Sequence, residues 1–239
     1  NTISHIHDLK DALQSINLIL NDDGVFILED PSLLEVIKNT SYDQFYDEHA
    51  YVFSVLGLNN LLEKTELEIF DIEKLTTHGG SNRVFIKKIR SNKKINDSVL
   101  KTINEELDMG MDKFETYQKF AKNVINSKNE TIKIFTELKK NNEKIIGYGA
   151  TYKSSTILNY CGLDTKFIDY FTDTTENKQG KFTPGTHIPI LKPTDGINSK
   201  INYIFLGAWN FKKEIFNKEK KFIERGGKFI SHVPYPQII

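Results

Sequence analysis

The sequence predicts an α/β protein made of two successive sheet-bearing parts joined by helices. Three observations carry this. Short apolar runs of strand length alternate with segments whose apolar residues recur at helical spacing. Residues 96–142 contain no proline and a single glycine, and read as helix. A strand, glycine turn and helix then begin afresh at Lys144.

In the first part, Leu9, Leu13, Ile16 and Leu20 mark an amphipathic helix that Asn21-Asp22-Asp23-Gly24 ends. Residues 25–28 form a continuous apolar run, which suits a strand buried on both faces, and Glu29-Asp30-Pro31 closes it. Residues 31–38 and 54–64 read as helices, residues 67–72 and 82–87 as strands, and 77–81 as the loop between those strands. Two strands joined directly at the end of an alternating pattern resemble the close of a class I methyltransferase sheet, whose last strand runs antiparallel, a likeness that on its own is weak. In the helical stretch, Val99, Ile103 and Leu107, then Phe114, Tyr117, Phe120, Ala121, Val124 and Ile125, keep helical spacing and predict two or three helices. Strands at 144–148, 167–171, 203–206 and 228–231, with a helix over 211–225 carrying Phe211, Ile215, Phe222 and Ile223 inward, predict a second small parallel sheet. The expected divisions are 1–92, a helical connector at 93–142, and 143–239.

The chain has 239 residues, enough for one large or two modest domains. Its 32 basic and 32 acidic side chains balance, which disfavours a nucleic-acid partner and a membrane surface and leaves small molecules as the default ligands. One cysteine, Cys161, excludes an intrachain disulfide and leaves no cysteine pair for zinc. With no apolar run of membrane-spanning length and no signal-peptide pattern, the expected location is the cytoplasm.

The densest chemistry lies in Tyr42-Asp43-Gln44-Phe45-Tyr46-Asp47-Glu48-His49. In an extended stretch Tyr46 and Glu48 face one way and His49 the other; in a helix Tyr46 and His49 share a face. An imidazole takes a proton near neutral pH, and a neighbouring carboxylate orients it, so the cluster suits acid–base work. A polar turn with packed aromatics accounts for the same residues. His78-Gly79-Gly80-Ser81 and Gly147-Tyr148-Gly149-Ala150 are glycine turns at strand ends, where backbone N–H groups meet a phosphate or simply close a connection. The second lacks the third glycine of a dinucleotide fingerprint and an acid at the expected distance, which disfavours a dehydrogenase. Asp173, Lys178-Gln179-Gly180-Lys181 and Pro184-Gly185-Thr186-His187 form a shaped polar loop suited to ligand contact. Trp209 suits either a pocket wall or the core, and His5, His7 and His232 read as ordinary structural histidines.

Taken in order, Tyr46-Asp47-Glu48-His49, Thr77-His78-Gly79-Gly80-Ser81-Asn82-Arg83, Gly147-Tyr148-Gly149-Ala150, Asn159-Tyr160-Cys161-Gly162 and the 178–189 stretch resemble the deoxysugar C-methyltransferase family. The likeness implies the later part of a class I S-adenosylmethionine domain, its Rossmann-like sheet followed by helices and a second small Rossmann-like domain that helps hold a nucleotide-sugar. It implies base-assisted C-methylation of a nucleotide-diphosphate keto-deoxysugar, with His49 as base and Glu48 and Tyr46 beside it. By the same likeness His78, Ser81, Arg83, Lys153, Lys178 and His187 are substrate-pocket residues, with Arg83 the expected charge partner of a diphosphate, and His5 is a cofactor contact. The family's cysteine-rich zinc segment and the glycine-rich turn that grips S-adenosylmethionine match nothing in this chain, so the expectation is either a truncated or fragmentary gene product or an upstream polypeptide that supplies them. Asp173-Thr174-Thr175-Glu176 carries Glu where relatives often have Pro. A nucleotide-sugar-binding module without catalysis, and an O-methyltransferase of the same architecture, are the alternatives.

Overall fold

A computed structural model describes residues 1–198 and 200–239. The chain divides into two compact units, the first Asn1–Lys38 with Asp47–Phe120, the second Asn39–Tyr46 with Ala121–Ile239.

The first unit is a three-stranded sheet covered on one face by helices. Its elements are α1 (Leu9–Ile19), β1 (Phe26–Pro31), α2 (Leu33–Asn39, ending in the second unit), α3 (Val55–Leu62), β2 (Leu67–Leu75), β3 (Ser81–Lys88) and α4 (Asp97–Asp108). Asp8 caps α1 through the Asp11 N–H and Ser54 caps α3 through the Gly57 N–H, each satisfying an otherwise orphaned donor. The sheet order is β1-β3-β2, and β3, the last strand in sequence, is antiparallel to both neighbours. Leu28, Leu67, Ile69, Ile72, Val84 and Ile86 point from the sheet into a core shared with Leu9, Leu13, Val55, Leu58 and Leu62. β1 is buried on one face only. It lies at the sheet edge with Ile27 53% exposed, so the apolar run at 25–28 misreads as doubly covered.

A buried carboxylate joins two of these helices. Glu106 in α4 has no exposed surface, and its two oxygens accept the N–H groups of Val55 and Leu56, each at 2.8 Å, in the open first turn of α3. Burial raises the Glu106 carboxyl above its usual range, although the two N–H groups oppose the shift.

The second unit is a six-stranded sheet with helices on both faces. The long helix α5 (Phe114–Lys140) contributes to it from residue 121 onward and is followed by β4 (Ile145–Tyr148), α6 (Tyr152–Cys161), β5 (Phe171–Thr172), β6 (Ile190–Leu191) and α7 (Pro193–Gly196). After these come β7 (Tyr203–Leu206), α8 (Lys212–Lys218), α9 (Lys220–Glu224), β8 (Lys228–Ser231) and β9 (Gln237–Ile238). The order is β6-β5-β4-β7-β8-β9, parallel except for β9. Phe135 of α5 packs on Phe167 and Phe205 on one face, while Ile215 and Phe222 join Ile146, Tyr148, Ile204 and Phe229 on the other.

Three local readings need correction. The buried line of α5 in this unit is Ser127, Thr131, Phe135 and Leu138, whereas Phe114 and Ile125 are exposed. The strand expected over 167–171 begins only at Phe171, because residues 165–167 form a turn. The helix expected over 211–225 breaks at Glu219, which leaves helical geometry and accepts a hydrogen bond from the Tyr148 hydroxyl at 3.0 Å; Phe211 is 51% exposed and Ile223 also lies outside the core. That tertiary bond leaves no mark in local periodicity.

Gly147 lies inside β4, not in the turn. A β-carbon there would stand 2.3 Å from the ring of fully buried Phe171 on the paired strand. Gly147→Ala is therefore expected to lower unfolding free energy by about 1–3 kcal/mol in urea titration. Glu106→Gln, which puts an amide donor against one of two backbone donors, is expected to cost about 1–3 kcal/mol by the same measurement.

Candidate functional site

In the first unit, the segment carrying Glu48 and His49 is laced to the segment carrying His5. The Tyr51 N–H donates to the Ser4 carbonyl at 3.2 Å, and the Tyr51 hydroxyl donates to the His7 carbonyl at 2.8 Å. A little further on, the Leu33 N–H donates to the Phe53 carbonyl at 3.0 Å. These bonds bring the His5 and His49 rings edge to face, 5.2 Å between centroids. Beneath them, buried Ser4 donates its hydroxyl to Asp30 Oδ1 at 2.7 Å, at the C-terminal end of β1. Asp30 Oδ2 has no protein partner among the described residues. Glu48 is exposed in the turn before His49.

The turn at Thr77–Gly79 holds His78 in left-handed geometry with φ 55°. Gly80 follows at φ 129°, and a β-carbon there would meet the Glu35 side chain at 2.6 Å, so this glycine serves close packing. Buried Ser81 donates to the Thr77 carbonyl at 3.0 Å, closing the turn. Arg83 sits on β3 directly opposite Glu29 on β1 and Glu73 on β2, and its guanidinium reaches both, at 2.9 Å and 3.1 Å. A diphosphate at Arg83 has two carboxylates to compete with.

In the second unit, β4 is followed by Gly149, whose φ of 82° turns the chain into α6. Thr151 and Ser154 form a capping box there. Asp173, at the end of β5, accepts the Ala150 N–H and the Thr175 N–H, both at 2.8 Å. Lys178 donates to the Ala150 carbonyl at 2.8 Å and lies 3.4 Å from Asp173. An acid thus stands at the end of the next strand, but its oxygens are spent on the loop. Because β5 and β7 flank β4 on opposite sides, this edge is the topological switch point of the sheet. A cavity of about 300 Å³ opens here, lined by Gly149, Asp173, Thr175, Lys178, Glu214 and Lys218 among others. A second, of about 220 Å³, shares Thr151 and Lys178 with it and adds Tyr152, Lys181 and Phe182. His187 is exposed on the turn after Thr183, with φ 55°, and lines neither cavity.

The segment 39–46 belongs to this unit. Tyr46 stacks on Tyr152 at 5.6 Å and 13°. Asp43 is wholly buried and accepts the Trp209 indole N–H at 2.5 Å, with His232 Nε2 3.3 Å from the same oxygen. Burial alone raises the Asp43 carboxyl, but His232, Lys153 and the indole outweigh it and hold the group below the usual carboxylate range. Lys153 is buried, with its ammonium 5.0 Å from the Trp209 ring centre; desolvation lowers its pKa and Asp43 opposes the shift. Sequence reasoning counted Asp43 in the dense 42–49 cluster without a role of its own and read His232 as structural, and did not join the two. The available signal was the aspartate inside the aromatic 42–46 run, flanked by residues that also bury.

Among the described residues no group of three or more His, Cys, Asp or Glu side chains is placed to hold a metal ion, and no helix is long and apolar enough to cross a membrane. Residues 76–234 match the family described as C-methyltransferase C-terminal domain, and residues 1–72 match the methyltransferase domain family. The chain is 34% identical over 236 residues to the C-methyltransferase NovU of Streptomyces niveus, covering 99% of this chain and 56% of that protein. With a Rossmann-like sheet in the second unit, an antiparallel last strand in the first, and both parts matched in order, the chain belongs to the C-methyltransferase family.

Proposed function

We propose that this chain forms the base-bearing and substrate-holding part of an S-adenosylmethionine-dependent C-methyltransferase acting on a nucleotide-diphosphate keto-deoxysugar. The observation that carries the reading is the pairing of His49 with His5 at 5.2 Å, on a backbone stitched by Tyr51 to Ser4. A ketone acidifies the neighbouring C–H bond of the sugar. His49 takes that proton, with Glu48 and Tyr46 orienting it or hydrogen-bonding the enolate, and the enolate carbon accepts the methyl group. S-adenosylmethionine, when bound, would supply that methyl from a sulfonium, the S–CH3 bond breaking to leave a neutral thioether. The residues present suit such a donor: Asp30, buried with one oxygen bonded by Ser4 and the other without a protein partner among the described residues, offers an acceptor for an ammonium or a ribose hydroxyl, and His5 lies next to Ser4. For the nucleotide, Lys178 and Lys181 supply positive charge and Tyr152 and Phe182 flat apolar faces around the smaller cavity of the second unit. His78, Ser81 and Arg83 are proposed contacts of the first unit by family likeness, and Lys153 and His187 are likewise proposed for the second, each unit taken by itself.

That cavity lies wholly within the second unit, which favours a second reading for the isolated chain as a nucleotide-sugar-binding module. Calorimetric titration separates the two: affinity for a nucleotide-diphosphate sugar without affinity for S-adenosylmethionine supports the module, and binding of both supports the catalytic reading. In the complete enzyme, His49→Ala is expected to lower kcat by about 10²–10⁴-fold while nucleotide-sugar affinity stays within a factor of two. Near-normal turnover would remove His49 as the base. NMR of the product, with the new methyl bonded to carbon, distinguishes this chemistry from O-methylation.

A further inference from the structure

Segment 39–46 enters the second unit by an unusual plug. Tyr42, Asp43 and Gln44 form one 3-10 turn against α6, and all three are buried, yet none is aliphatic. The Tyr42 hydroxyl lies 3.8 Å from Cys161 Sγ, and its ring packs edge-on to Tyr160 and His232. An aliphatic residue would fill the place of Asp43 without the cost of desolvating a charge. What a carboxylate adds is direction, because it accepts hydrogen bonds only along its lone pairs.

The partners of Asp43 come from separate elements. Trp209 follows β7, His232 follows β8 and Lys153 lies in the first turn of α6. All three stand at the C-terminal edge of the sheet, where the cavities open. Tyr46 then stacks on Tyr152, the residue before Lys153. Asp43 is thus bonded to Trp209 after β7 while Tyr46, three residues on, stacks on the first turn of α6, so that fixing the first restrains the second.

We propose that Asp43 is a positioning residue for the reaction: bonded by the Trp209 indole, with the His232 imidazole 3.3 Å away, it pins segment 39–46 and sets the Tyr46 phenol over Tyr152. The proposal rests on the reading that Tyr46 takes part in catalysis. Asp43 touches no substrate; it acts through the placement of Tyr46.

The anchor is read first in the 239-residue chain, whose lone tryptophan is Trp209. Asp43→Asn replaces the charged acceptor of the indole N–H, so its emission maximum is expected to shift, and amide exchange at residues 42–46 to accelerate while β4 and β7 stay protected. Trp209→Phe, which deletes the donor and keeps an aromatic ring, is expected to give the same local loss of protection. In the complete enzyme, assayed with S-adenosylmethionine and a nucleotide-diphosphate keto-deoxysugar, Asp43→Asn is expected to lower kcat about 10–100-fold with KM little changed. In a Tyr46→Phe background the same substitution is expected to have less than a twofold further effect, since the group it positions is gone. Unchanged exchange at 42–46, wild-type kcat, or a fully multiplicative effect in the double variant overturns the role of Asp43 and leaves Tyr46 in place. Full turnover in Tyr46→Phe overturns both readings together.

Discussion

The second unit depends on one steric allowance. The end of β7 runs so near the turn after β4 that a β-carbon on Gly207 would stand 2.6 Å from the Gly149 carbonyl, and one on Gly149 would stand 2.7 Å from the Ala208 methyl. Without side chains at either place, the two strand ends close on each other and the chain turns directly into α6. Where α6 starts decides where Tyr152 and Lys153 stand, and these are the residues met by Tyr46 and by the field of Asp43. Asp173 and Lys178 then hold the turn from the other side through the Ala150 N–H and carbonyl. Larger residues at these glycines would displace the cavity walls and the segment bearing Tyr46 together.

The first unit solves a similar problem with buried carboxylates. Glu106 closes the open end of α3, and Asp30 holds Ser4, whose carbonyl in turn receives the Tyr51 N–H. Each replaces contacts to water by directed bonds to neutral donors, which orients a loop more sharply than apolar packing does. The two histidines are consequently held by backbone bonds and not only by contact between their rings.

Elements with strong local signals were legible in the sequence. The helix at Leu9–Ile19, the strand pair at 67–75 and 81–88, and the glycine turn at Gly149 all declare themselves through spacing or composition. β6 and β9, two residues each, are too short to leave a period, and the break at Glu219 coincides with a hydrogen bond from a distant tyrosine. The 46–49 motif stands out by its chemical density, and His5 is a candidate only through family likeness. Asp43, Trp209 and His232 lie far apart in sequence and converge only through the topology of the sheet, so neither pattern nor spacing joins them. Gly147 and Gly149 look alike in the sequence, yet one makes room for Phe171 and the other turns the chain.

Arg83 has a consequence for how the first sheet assembles. Its guanidinium faces Glu29 across one strand boundary and Glu73 across the other, each at its direct register partner. A slip of either outer strand by one residue turns that glutamate to the opposite face of the sheet and removes its contact with the cation. The triad therefore acts as an alignment key: two acidic teeth fit one basic notch only when all three strands are in step, and misaligned pairings forfeit charge complementarity as well as the apolar face.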